Sequence, residues 1–138
     1  MSLTLEVITP KRVLLSAEAV EVTLPGEVGE LGILAGHIPV LTALKSGVLA
    51  YGQGKDKKLV AVHHGFAEVH EDRVTVLAKD ADLAEEIDLA TTQAQLAQLN
   101  EQLKTVEKNS TEEAALTKEL TLAQTRLLVA EGSKGQHH

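Results

Sequence analysis

The hydrophobic period of this chain changes near residue 80, and that change divides what it can fold into. Up to about Lys79 the apolar residues fall in short, branched-rich runs: Leu3–Ile8, Ala19–Leu24, Leu59–Val62 and Arg73–Leu77. Pro10, Pro25-Gly26, Gly52-Gln53-Gly54 and Glu71-Asp72 punctuate them at turn positions. Val20, Val22 and Leu24 alternate with Glu21 and Thr23, which sends one face inward and the other outward. From Asp82 onward glycine vanishes until Gly132, and the apolar spacing becomes three and four. Asp82 with Glu85 reads as a capping pair that opens a first helix, its stripe running through Leu83, Ile87, Ala90, Ala94 and Ala97, then Leu96, Leu99, Leu103 and Val106. Lys108–Thr111 interrupts it, and Ser110 with Glu113 starts a second helix. There Leu116, Leu120, Ala123, Leu127 and Ala130 form an antiparallel packing seam that Gly132 ends. The expected architecture is β followed by α: an N-terminal antiparallel β-sandwich over residues 1–81, a C-terminal antiparallel α-helical hairpin over 82–131, and a flexible tail over 132–138.

Composition narrows the function classes. The aromatic residues are Tyr51 and Phe66 alone, so the core must be aliphatic, and with no cysteine there is neither a disulfide framework nor a thiol nucleophile. No apolar run reaches the roughly 20 residues that span a bilayer, and the start of the chain does not read as a signal peptide. A soluble, cytosolic chain without direct membrane insertion is expected. Net charge is −7, concentrated in residues 82–131, which carry ten acids against four bases. Such a balance opposes nucleic-acid binding.

The chemistry-bearing residues do not assemble into a catalytic site. Gly26–Gly32 is followed by no Lys-Ser/Thr and opens no helix, and its glutamates would repel phosphate. His63 and His64, adjacent in an expected strand, should point to opposite faces and not share a metal. None of the five serines lies in a nucleophile turn, and the carboxylates of the hairpin fit a solvated face. No catalytic residue, metal site or cofactor is expected. An adaptor that binds a coiled coil, or at greater distance a histidine-based metal hydrolase, are the readings that would need no relative.

Gly29-Glu30-Leu31-Gly32-Ile33-Leu34-Ala35-Gly36-His37-Ile38-Pro39 is too irregular for a helix, because its glycines admit positive φ and its proline extends Ile38. It reads equally as a tight β-corner or as a shaped contact surface. Continued through Val40-Leu41-Thr42-Ala43-Leu44, this run resembles the epsilon subunit of rotary (F-type) ATP synthases, whose pattern there is Gly-x-Leu-Gly-Ile-x-x-Gly-His-x-Pro-Leu-Leu-Thr-Ala-Leu. Gly65-Phe66-Ala67-Glu68-Val69 is a second match, and the order of parts fits over nearly the whole length.

The resemblance implies a non-catalytic central-stalk subunit of a proton- or sodium-driven synthase, peripheral on the cytoplasmic face of a bacterial inner membrane. Its sandwich would sit between the gamma subunit and the c-ring through Glu30, Leu31, Gly32, Gly36, His37 and Pro39. Its hairpin would fold on the sandwich or extend toward the alpha/beta catalytic head to block ATP hydrolysis, with Leu116, Leu120 and Leu127 wedging and Lys118 and Arg126 supplying charge. Two departures stand out. An ATP-binding motif of some relatives, Ile/Leu-Asp-x-x-Arg-Ala, reads Ile87-Asp88-Leu89-Ala90-Thr91-Thr92 here. Thr91 offers no guanidinium, so ATP binding is expected to be weak or absent. The second helix is also poor in bases, which speaks against strong electrostatic clamping.

Overall fold

The computed structural model describes residues 2–135, with backbone alone over 133–135. His137 and His138, and with them the end of the expected tail, lie outside the described residues. Eight strands come first: β1 (Leu3–Thr9), β2 (Arg12–Ala19), β3 (Glu21–Pro25), β4 (Glu30–Leu34), β5 (Val40–Leu44), β6 (Gly47–Gln53), β7 (Asp56–His70) and β8 (Arg73–Leu83). A 3-10 turn (Ala84–Glu86) leads to helices α1 (Leu89–Thr105) and α2 (Thr111–Gly135).

The long β7–β8 hairpin organises the sandwich. The first half of β7 pairs with β6 and with the end of β8, while its second half pairs with β5 and the start of β8. One layer is therefore β2-β1-β8-β7-β5 and the other β4-β3-β6-β7-β8, joined by two strands common to both. The bend falls at His64, with φ 50°, and Gly65, with φ 146°. At Gly65 a Cβ would lie 2.1 Å from the Leu77 carbonyl oxygen, so the strand crossing closes only on glycine. The expected Glu71-Asp72 turn is present, both residues left-handed as a two-residue hairpin of primed type requires. One pair, β1 with β8, is parallel; the two strands are distant in sequence and need no tight turn between them.

Alternation sends Leu3, Leu5 and Val7, Val22 and Leu24, Val60 and Val62, and Val74 and Val76 between the layers, all fully buried. Tyr51 joins this aliphatic core, but Phe66 does not. Val20 also falls outside the pattern read for its run, partly exposed at the junction before β3.

The hairpin begins later than its sequence suggests. Asp82 and Leu83 do not open a helix: they continue β8, because the first half of β7 needs a partner and finds it in Ala81, Asp82 and Leu83. The cap belongs instead to Glu86, whose Oε1 accepts the Leu83 N–H at 2.9 Å while its other oxygen pairs with Arg12 at 2.7 Å. The carboxyl of Glu86 is held below the usual range: burial raises it, but the Leu83 N–H and Arg12 outweigh that. Helix α1 then starts at Leu89, with Ile87 ahead of it. Leu96, Leu99, Leu103 and Val106 face inward as read, whereas Ala90, Ala94 and Ala97 are exposed and Thr92 takes the buried place in the first turn. The second start is as expected: the Glu113 N–H donates to Ser110 Oγ at 3.0 Å, and Glu113 Oε1 accepts the Asn109 N–H at 2.9 Å. Helix α2 does not stop at Gly132 but continues to Gly135.

Candidate functional site

Between Gly29 and Pro39 the chain is a strand and a turn rather than one loop. Glu30 opens β4, paired with Pro25, and Gly32 pairs with Thr23 inside it. His37 follows the strand's other end, so at about 3.3 Å per residue β4 sets Glu30 and His37 roughly 13 Å or more apart. Three hydrogen bonds hold the turn. The Gly36 N–H, at φ 85°, donates to Asp72 Oδ1 at 2.7 Å, the His37 N–H donates to the Leu34 carbonyl at 3.1 Å, and His37 Nδ1–H donates to the Ile38 carbonyl at 2.7 Å. Leu31 is half-buried, while Glu30, Gly32, Gly36 and Pro39 are exposed. Beside this turn a hollow of about 380 Å³ is lined by Pro39, Val40, Leu41, Glu68, Val69 and His70. It is open and holds no converging nucleophile and base.

The outer faces of the two layers differ. Across β5, β7, β8, β1 and β2 the pairing aligns Ala43, Phe66, Leu77, Ile8 and Val13 in one row. Phe66 is 58% exposed, Leu77 54% and Val13 60%, an apolar stripe on a face that should be polar. Sequence reading missed this row, although an aromatic residue on the outward side of the alternating Phe66–Glu68–His70 run was a usable signal. The other layer is covered by α2. Ala61 points outward yet is fully buried, and Gly132 lies so close to Leu59 that a Cβ would come within 2.5 Å of its Cδ1.

Arg126 fastens that helix. Its Nε donates to Asp82 Oδ2 at 2.6 Å and its Nη2 to Asp80 Oδ2 at 3.3 Å. Leu116, Leu120 and Leu127 are half-buried along the seam, and Ala123 and Ala130 are buried, whereas Lys118 is exposed. Ile87 and Asp88 lie just before α1 and Thr91 in its first turn, where the Thr91 hydroxyl donates to the Asp88 carboxylate. His63 and His64 do not point to opposite faces: the left-handed His64 breaks the alternation, and their rings meet edge to face with centroids 4.6 Å apart.

Among the described residues the fold is a bent β-sandwich with a structured turn, an exposed apolar row on one layer, and the other layer covered by an ion-paired helical hairpin. That is the class of protein the fold defines, a β-sandwich carrying a C-terminal helical hairpin. Residues 2–84 match the family described as ATP synthase, Delta/Epsilon chain, beta-sandwich domain. The ATP synthase epsilon chain of Synechococcus elongatus is 46% identical over 109 residues, which cover 79% of this chain and 80% of that one. That of a Cyanothece strain is 38% identical over 134 residues, 96% of this chain and 97% of its own. A chain in the Euglena gracilis mitochondrial ATP synthase structure, solved with OSCP, F1 and c-ring, shares the fold with TM-score 0.68 at 21% identity, covering 99% of this chain and 82% of that one. The chain belongs to the epsilon-chain family of ATP synthases, which sets aside an unrelated adaptor.

Proposed function

We propose that this chain is a non-catalytic rotor subunit of an ATP synthase, coupling gamma to the c-ring and restraining ATP hydrolysis through its hairpin. The observation that carries this reading is the extent of the likeness: sandwich and hairpin together align with an epsilon chain over 134 residues. The Euglena relative comes from an assembly of OSCP, F1 and c-ring, in keeping with docking beside a ring and a catalytic head. The bare row of Phe66, Leu77 and Val13 offers area for a partner subunit, and the turn at Gly36–Pro39 with Glu30 offers shape and charge. Among the described residues no helix is long and apolar enough to cross a membrane, so attachment would come through neighbouring subunits at the cytoplasmic face of a bacterial membrane.

The restraining role is tested by reconstituting an epsilon-depleted synthase with the full chain or with a version ending after Ile87. This end leaves β8 and the Glu86–Arg12 pair intact, which a cut after Ala81 would not. Faster ATP hydrolysis with the shortened chain is expected. Equal rates with both forms bound would remove the brake and leave only the coupling role.

Binding of ATP itself is weak or absent in this reading. Thr91 brings no positive charge, and its hydroxyl is already engaged by Asp88. Calorimetry should give no dissociation constant tighter than about a millimolar, and a micromolar value would overturn this.

A further inference from the structure

The hairpin is fastened at a place where a histidine sits among opposed charges. On the outer face of the covered layer His63 and Asp80 form one cross-strand pair, and Ala61 and Asp82 the next. Arg126 of α2 reaches across both carboxylates. The His63 ring is positioned by a hydrogen bond between its Nδ1 and the Ser46 hydroxyl, and by the edge of His64. The charged groups near it are Asp80 and Lys79 on β8, Arg126 on α2 and, when protonated, His64 on β7. A neutral ring leaves Asp80 to Arg126; an imidazolium would repel Arg126 and draw Asp80 away from it.

We propose that His63 is a pH trigger for the Arg126 latch, its protonation releasing α2 from the sandwich. The direction of its own titration agrees. Burial, then the neighbouring His64, lower the His63 pKa, Asp80 opposes them, and Arg126 and Lys79 lower it further. Release of α2 takes away Arg126 and the covering helix, so the released form holds a proton more tightly than the docked form. Docking is therefore strongest above the ordinary histidine value of about 6.5 and weakens as pH falls through it toward the lower docked value. For each unit by which the two pKa values differ, the ratio of released to docked chains can change by up to about tenfold. The trigger rests on these side-chain contacts and not on the rotor-subunit reading.

The chain has no cysteine, so spin labels on Lys55→Cys in the β6–β7 turn and Glu119→Cys on α2 report the distance between sandwich and hairpin in the full chain. The released population should rise severalfold between about pH 8 and about pH 5.5. His63→Gln, which keeps a partner for Ser46 but no titration, should flatten that response while circular dichroism stays native. Arg126→Gln should raise release at every pH and lose most of its pH dependence. An unchanged distance distribution in the parent chain across this range would overturn the proposal. So would a parent-like response in His63→Gln, which would assign the titration elsewhere.

Discussion

Gly65 is where a single atom decides whether the two layers can share strands. A Cβ there would meet the Leu77 carbonyl oxygen at 2.1 Å, and its φ of 146° is open to glycine alone. Gly65→Ala should cost about 2–4 kcal/mol, read as a lower urea midpoint with an unchanged slope. Little of this was legible beforehand. In the sequence Gly65 stands out only as part of a family pattern, whereas its physical reason, a strand bent against its neighbour, depends on residues twelve and more positions away. The inward residues were easier: Val22 and Leu24 declare themselves by alternation with Glu21 and Thr23. The pairing of His63 with His64 could not be read, because a period of two assumes a regular strand and His64 is left-handed.

Among elements, the starts of the helices show where local signals suffice. Ser110 and Glu113 cap α2 as their spacing suggests, since a cap uses only neighbouring backbone. Ser110→Ala should lower hairpin stability by about 1 kcal/mol, seen as a lower thermal midpoint for helical signal and faster amide exchange in the first turn of α2. Asp82 and Glu85 offered the same signal but lost to pairing: β7 runs to 15 residues, and its first half takes Ala81–Leu83 as partner. The strand's demand arises from a distant element and leaves no mark in the local sequence. For the same reason the seam of α2 was readable from its own spacing, while the alanines of α1 were assigned to a face they do not bury. The glycines and proline mark Gly36–Pro39 as shaped, but nothing local marks the strand that parts Glu30 from His37.

For the whole molecule, fold class and family were open to reading, and the difference between the two outer faces was not. Covering of one layer by α2 is a tertiary fact that buries Ala61 without changing its sequence signature. On the bare layer, Phe66→Ser with Leu77→Ser should leave the melting temperature within about 3 °C, because both side chains are more than half exposed, while weakening the proposed assembly with gamma and the c-ring at least tenfold in a competition binding assay. Wild-type affinity in a folded variant would place the contact elsewhere. The two faces are not mechanically separate. Each rests on β7 and β8, which run unbroken through the bend from one layer into the other. A twisting load taken up on the bare side therefore travels along covalent chain to the end of β8 that carries Asp80 and Asp82, with no flexible linker to absorb it. The sandwich is built like a bent lever, with the hairpin's anchorage mounted on one arm and the exposed stripe on the other.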